Sequence, residues 1–181
     1  MKLIHAISVG VLALSSSVYA ADGTINFTGD ITANTCTIDG DAAGTASKTI
    51  ALGSVPASAL SAVGQTAGNK NFSLVLSDCA TSLTTVAARF ESLELASPDG
   101  RLKLSPPAGA TPNAENVEIV IYDNNNNMQP VNGEIPAGSY MELTGTTTKA
   151  ATLNYIAAYY ATGEATVGPA NSVVSYTLSY Q

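Results

Sequence analysis

A short stretch near the N-terminus alternates between apolar and polar side chains, and this pattern constrains the fold more than any other. The stretch is residues 24–33, and its apolar side is Ile25, Phe27, Ile31 and Ala33, with Gly29 in the same register. Period-two alternation is typical of a β-strand with one buried face. Because chain ends are usually poorly ordered unless something ties them down, this strand needs a partner surface. The pattern leaves open whether that surface lies in this chain or in another.

The first twenty residues have the pattern of a secretory signal peptide. A lysine follows the initiating methionine, residues 3–18 are mostly apolar, and Val18 and Ala20 occupy the positions that a signal peptidase inspects. A membrane anchor is the alternative, but three serines interrupt the run, and it is shorter than the ~20 apolar residues of a spanning helix. We therefore expect cleavage after Ala20 and an exported mature protein.

Charge and cysteine content narrow the class of protein further. The chain has a formal net charge of −7 and few charges of either sign, so no basic patch is available for nucleic acid. Two cysteines, Cys36 and Cys79, remain after cleavage, and an even number in an exported chain indicates a disulfide. A metal site is the alternative, but the mature sequence offers no histidine and no further cysteine as ligands.

The rest of the sequence predicts short strands separated by turns. Strands are predicted at 72–79, 85–95, 117–122, 140–143, 152–160 and 172–181, with a short helical turn at 57–63 and a tight turn at 124–127. Glycine, proline and aspartate punctuate the chain between them, and almost no segment has helical periodicity. This arrangement favours an all-β sandwich. Its last strand carries an apolar row of its own, Val174, Tyr176, Leu178 and Tyr180, just before Gln181.

The residues offer no workable catalytic set. The histidine at position 5 lies in the predicted signal peptide, so a serine–histidine–acid triad cannot form in the mature chain. Glu91 and Glu94 face opposite sides of a predicted strand, so they cannot share acid–base work. The segment Asp39-Gly40-Asp41 is better interpreted as a turn than as a calcium site, because the other ligands of an EF-hand are missing. We expect no enzyme activity, no metal and no cofactor.

Taken in chain order, these features resemble the type 1 fimbrial (chaperone–usher) pilin family. The segments that carry the resemblance are Gly23–Ile31 followed by Cys36, Leu52-Gly53, Phe72–Cys79, Tyr159–Gly163, Ala165–Gly168 and Tyr176–Gln181. The first looks like the family's N-terminal extension and first cysteine, and the last is similar to its closing pattern. The resemblance extends over nearly all of the mature chain.

The resemblance implies a fold and a mechanism that account for both apolar rows. Family members have an incomplete immunoglobulin-like β-sandwich that lacks its final strand, which leaves a hydrophobic groove beside the last strand. A periplasmic chaperone fills the groove first, and at an outer-membrane usher the N-terminal extension of the next subunit replaces it. By this resemblance, residues 21–33 are the donor-strand extension and residues 34–181 the pilin domain of a subunit of a cell-surface fimbrium, which supports adhesion by a Gram-negative bacterium.

The resemblance also implies roles for single residues. The donor-strand residues are Ile25, Phe27, Gly29 and Ile31. The groove-edge and chaperone-contact residues are Val174, Tyr176, Leu178, Tyr180 and Gln181, whose C-terminal carboxylate is held by basic residues of the chaperone. The extension before Gly23 is short, which leaves both major and minor subunits open. The alternative function is a soluble secreted ligand- or carbohydrate-binding β-sandwich whose first strand folds back onto its own core.

Overall fold

The computed structural model describes residues 25–28, 36–105 and 112–181. The chain divides into two compact units, Met1–Thr32 and Ala33–Gln181. In the first unit, Ile25 to Thr28 are exposed and belong to no strand. The predicted signal peptide lies outside the described residues. Within the described ranges, no helix has the length and apolar character needed to cross a membrane.

The described residues of the second unit form two antiparallel sheets. Their strands are β1 Thr37–Ile38, β2 Thr66–Cys79, β3 Thr85–Glu91, β4 Leu102–Lys103, β5 Val117–Asp123, β6 Met141–Glu142, β7 Lys149–Ala161 and β8 Ser175–Tyr180. A 3-10 helix at Ala57–Leu60 precedes β2. The five-stranded sheet has the order β1-β2-β7-β5-β4, and the three-stranded sheet has the order β6-β3-β8. The predicted all-β sandwich is confirmed.

The core lies between the two sheets and takes alternate residues from each. Strand β5 contributes Val117, Ile119 and Ile121, β3 contributes Val86, Ala88 and Phe90, and β7 contributes Leu153, Tyr155 and Ala157. The Tyr155 ring meets the edge of Phe90 across the sandwich, with 5.1 Å between ring centroids. Burial raises the pKa of Tyr155 to about 12. The period-two pattern of these strands is therefore explained by one face of each sheet packing inward.

The strand predicted over 85–95 is too long, because β3 ends at Glu91. The side chain of Asn132 accepts a hydrogen bond from the Ser92 N–H at 2.9 Å and donates one to the Ser92 carbonyl at 2.6 Å. The Ser92 hydroxyl then accepts from the Leu95 N–H at 3.0 Å. Both main-chain groups of Ser92 are thus engaged by a loop side chain and cannot continue the sheet.

Strands β2 and β7 are longer than their apolar patterns predict. They pair with each other from Thr66↔Tyr160 to Cys79↔Lys149, with an irregular step between Ala67 and Lys70. Gly68 lies in that step with φ of +69°, a backbone conformation that favours glycine. The extra residues of β2, 66–71, are mostly polar, and those of β7 are Lys149 and three alanines, so ladder pairing rather than an apolar alternation makes them strand.

The two cysteines form the predicted disulfide. Cys36 and Cys79 are joined with 4.2 Å between their Cα atoms. Both side chains are buried. The bond links the residue just before β1 to the last residue of β2, where Thr37 pairs with Ser77.

Candidate functional site: an apolar groove

A groove of about 1100 Å³ opens along the second unit between β8 and a wall segment, residues 43–53. Its floor is the inner face of the sandwich. The apolar floor residues are Phe72, Leu74, Phe90, Leu102, Ile119, Ile121, Ala157 and Tyr159. Because most of these residues also belong to the main core and remain buried, the groove is a narrow opening onto the core rather than a separate pocket.

The rim formed by β8 and the residue before it contains the apolar row predicted from the sequence. Val174, Tyr176, Leu178 and Tyr180 all line the groove. Each is partly buried against the core, whereas Ser175 and Thr177 between them are exposed. The structure thus brings these four predicted residues together along one side of the groove.

Strand β8 also has one open hydrogen-bonding edge, since it is the last strand in the order β6-β3-β8. Thr85 and Gln181 exchange both main-chain hydrogen bonds, each at 3.0 Å. Alternate pairs along an antiparallel ladder do the same, so Ser179, Thr177 and Ser175 bond to β3. The main-chain groups of Tyr176, Leu178 and Tyr180 therefore face the open edge. These residues present apolar side chains to the groove and polar main-chain groups to an incoming strand.

One end of the groove is bounded by Tyr180. Its hydroxyl accepts a hydrogen bond from the Cys36 N–H at 3.4 Å, which places the ring beside the disulfide. Burial raises the pKa of Tyr180, against a smaller lowering by the Cys36 N–H. Burial also raises the pKa of Tyr176, with Asp39 and Asp41 adding to the effect. Both shifts are away from neutral pH, so the phenols stay uncharged there as an ordinary tyrosine does, which suits an apolar occupant.

Gln181 lies at the end of β8 and is exposed. Its main-chain oxygen accepts hydrogen bonds from the Thr84 N–H at 2.7 Å and the Thr85 N–H at 3.0 Å. The Thr84 hydroxyl donates a third bond at 2.6 Å. The structure therefore places Gln181 next to the groove-lining residues rather than among them.

The predicted donor residues are only partly described. Ile25 and Phe27 are 80% and 92% exposed, which is unusual for large apolar side chains. Gly29 and Ile31 lie outside the described residues. Among the described residues, no group of three or more histidine, cysteine, aspartate or glutamate side chains could hold a metal ion.

The wall segment is part of the site that the sequence pattern did not predict. Within it, Ala46, Ile50 and Leu52 are partly buried while their neighbours are exposed. This period-two pattern is the signal that could have identified it, but lysine at position 48 interrupts the apolar row. The segment also forms no ladder with another described strand, so its boundary role is visible only in three dimensions.

Comparison with known proteins places the chain in a family. The fimbrial protein family model matches residues 25–181. The type-1 fimbrial protein A chain of Escherichia coli is 30% identical over 190 residues, covering 100% of this chain and 99% of that protein. The major fimbrial subunit SMF-1 of Stenotrophomonas maltophilia is 36% identical over 168 residues, covering 89% of this chain and 94% of that protein.

Solved structures agree on the fold. The P pilus rod subunit PapA superposes with a TM-score of 0.56 at 18% identity, covering 81% of this chain and 99% of that one. A chaperone–usher pilus structure that addresses rod uncoiling gives a TM-score of 0.55 at 19% identity, covering 92% of this chain and 100% of that one. These matches confirm the predicted incomplete immunoglobulin-like sandwich. With the family match, they show that the chain belongs to the fimbrial protein family, the non-enzymatic structural subunits of chaperone–usher pili on the surface of Gram-negative bacteria.

Proposed function

We propose that this subunit polymerises by donor-strand exchange, with residues 21–33 of one subunit filling the groove of the domain formed by residues 34–181 in the next. The observation that carries the proposal is the rim of the groove. Strand β8 offers an apolar side-chain row and an open main-chain edge at the same residues, Tyr176, Leu178 and Tyr180. An added strand satisfies both at once, as in other cases of β-augmentation.

The dimensions and composition of the donor segment support this role. Residues 25–33 span ~27 Å as a strand, and the groove-lining residues from Ala170 to Tyr180 span ~34 Å. Burial of Ile25, Phe27 and Ile31 would contribute ~1.5–3 kcal/mol each. Main-chain hydrogen bonds to β8 would add ~0.5–1.5 kcal/mol each. Gly29 suits a point in the groove that leaves no room for a side chain.

We also propose that a periplasmic chaperone and an outer-membrane usher act on the subunit before assembly. An uncovered groove exposes both a strand edge and part of the core, which promotes aggregation. A chaperone strand that covers the groove removes the hazard, and the usher allows the next subunit to replace it. The exposed position of Gln181 at the end of β8 is consistent with a chaperone contact at this residue.

The substitution Phe27→Asp tests the donor role. It puts a charge on the apolar face of the donor segment, so we expect the mature chain to fold when a peptide of residues 21–33 fills its groove but to lose assembly into oligomers resistant to mild SDS. Asn26→Asp is the matched control, since it adds the same charge one residue away on the polar face. Gel electrophoresis without heating measures the oligomers, and circular dichroism measures the fold.

Two outcomes would contradict the proposal. The first is unfolding of the subunit by Phe27→Asp but not by Asn26→Asp, because the side chain would then belong to its own core. The second is a stable, reversible two-state monomer of the wild-type chain without chaperone or added donor peptide. That result would favour the soluble ligand-binding alternative.

A further inference from the structure

We infer that Lys48 positions the wall segment against β2 and thereby determines how tightly the groove holds its occupant. The inference rests on the donor-strand mechanism proposed above and names a residue that controls it. It follows from the way in which the wall segment is attached to the rest of the domain.

The wall segment has little main-chain support of its own. In the described structure, residues 46–53 belong to no strand or helix. Gly44 and Gly53, at its two ends, have φ of +87° and +78°, where a residue with a side chain would be strained. A segment between two such glycines, without ladder hydrogen bonds, depends on side-chain contacts to stay in place.

Lys48 supplies those contacts near the middle of the wall segment. Its Nζ lies 2.7 Å from Asp39 Oδ2, and the two side chains are 34% and 25% exposed. The same Nζ donates a hydrogen bond to the Ser73 carbonyl. Lys48 therefore bonds to a carbonyl of β2 and to Asp39, which lies next to β2.

Asp39 is itself held firmly against β2. Its N–H donates to the Val75 carbonyl at 2.7 Å, and its Oδ1 accepts from the Val75 N–H at 3.2 Å. Ser73 and Val75 flank Leu74, which forms part of the groove floor. The bonds of Lys48 consequently set the distance between the middle of the wall and the floor of the groove. The hydrogen bond from the Tyr159 hydroxyl to the Gly53 carbonyl at 3.3 Å and the packing of Ala46 and Leu52 against the core hold the wall elsewhere.

The Lys48 bonds should slow the release of a bound donor strand. When the Lys48 bonds are lost, the wall can move away from the floor, and the donor side chains lose part of their contact surface. Because an ion pair with this exposure is weakened by salt, release of the donor strand from the wild-type groove should accelerate as ionic strength rises. Loss of Lys48 should weaken that dependence.

The host for the experiment is the full mature chain carrying Phe27→Asp, which cannot act as donor and is refolded from denaturant in the presence of a fluorescent peptide of residues 21–33. The dissociation rate of this peptide from the host, with an excess of unlabelled peptide, is measured at low and high salt. We expect Lys48→Met to accelerate dissociation about tenfold at low salt and to reduce the salt dependence, whereas Lys48→Arg keeps the wild-type rate and the wild-type salt dependence. Lys70→Met is the matched control, because Lys70 is an exposed lysine of β2 that does not line the groove.

Asp39→Asn removes the same ion pair by changing its acidic partner, and it should also accelerate dissociation. Equal dissociation rates for the host and for Lys48→Met would overturn the role of Lys48 but not the donor-strand mechanism. A faster rate that keeps its full salt dependence would also overturn it. Failure of the peptide to bind the host while Lys48 is present would instead contradict the donor-strand mechanism, and the inference with it.

Discussion

At the scale of single residues, a buried carboxylate explains the asparagine-rich turn after β5. Asp123 Oδ1 accepts hydrogen bonds from the main-chain N–H groups of Asn125 and Asn127 at 2.8 and 2.9 Å. Oδ2 accepts from the Ser139 hydroxyl at 3.0 Å and from Gln129 Nε2 at 3.3 Å. The run of asparagines is thus a tight turn organised around one carboxylate, as its sequence predicts.

These bonds also determine the charge state of Asp123. Burial by itself raises the pKa of the carboxyl group. The hydrogen bonds from Asn127, Ser139 and Asn125 outweigh it and hold the pKa below its usual value. Because the pKa is lower in the folded than in the unfolded state, the carboxylate stabilises the fold above pH ~4, the unfolded value. That contribution is lost as the pH falls through the folded pKa.

We therefore predict that Asp123→Asn destabilises the domain by about 1–3 kcal/mol at neutral pH, since the amide group turns an acceptor into a donor that faces other donors. The difference from wild type should shrink below pH ~4. Urea unfolding of the peptide-filled domain, from neutral pH to pH ~3, measures both effects. Glu134→Gln is the control, because Glu134 is exposed. An equal stability of Asp123→Asn and wild type at neutral pH would contradict the prediction.

At the scale of elements, β8 is the strand on which the function depends. One edge is paired with β3 from Val86↔Tyr180 to Glu91↔Ser175, and the other is open. Its alternate residues face the groove and the solvent in turn, so adjacent positions of one strand should respond differently to the same substitution.

Leu178→Lys and Thr177→Lys test this difference. Leu178 lies on the groove face of β8, so a lysine there places a charge where the donor strand packs. We expect the affinity for the donor peptide to fall more than a hundredfold, given the cost of burying an unpaired charge. Thr177 is exposed, and its hydroxyl lies 2.9 Å from Glu91 Oε2, so a lysine finds an acidic neighbour. Its peptide affinity, measured by fluorescence anisotropy, should change less than about threefold, within the range of surface substitutions. Similar losses for both variants would argue against the assigned faces.

At the scale of the whole domain, the disulfide joins two parts of the groove boundary. Cys36 precedes the turn that leads to the wall segment, and Cys79 ends the strand that supplies Phe72 and Leu74 to the floor. The bond closes a loop with a sequence separation of 43. That loop contains the wall segment, so the bond restricts the unfolded chain over a region that includes it.

We predict that the double substitution of Cys36 and Cys79 by alanine lowers the free energy of unfolding by about 4 kcal/mol, as loop closure of this size implies. Denaturant unfolding of the peptide-filled domain measures the loss. Reduction of the wild-type disulfide should destabilise by a similar amount, while reductant should leave the double variant unchanged. A loss of less than ~1 kcal/mol would show that the bond does not constrain the unfolded chain in this way.

The sequence by itself determined the properties that depend on local pattern. Alternation assigned the inward faces of β3, β5 and β8, because side chains of a strand point to opposite sides whatever the strand pairs with. The two cysteines of an exported chain predicted the disulfide. The apolar row at residues 25–31 and the row at residues 174–180 predicted that the chain presents two incomplete surfaces, although only the latter lies wholly within the described residues.

The tertiary structure decided everything that depends on distant partners. It made the edge of β8 open, because strand order follows from pairing between residues far apart in sequence. It brought Lys48 to Asp39 and Ser73, and it turned an unremarkable connecting segment into the second wall of the groove. It ended β3 early through Asn132, which lies 40 residues from Ser92 in sequence. No local pattern encodes such contacts, because their energies arise only after the two sheets have packed.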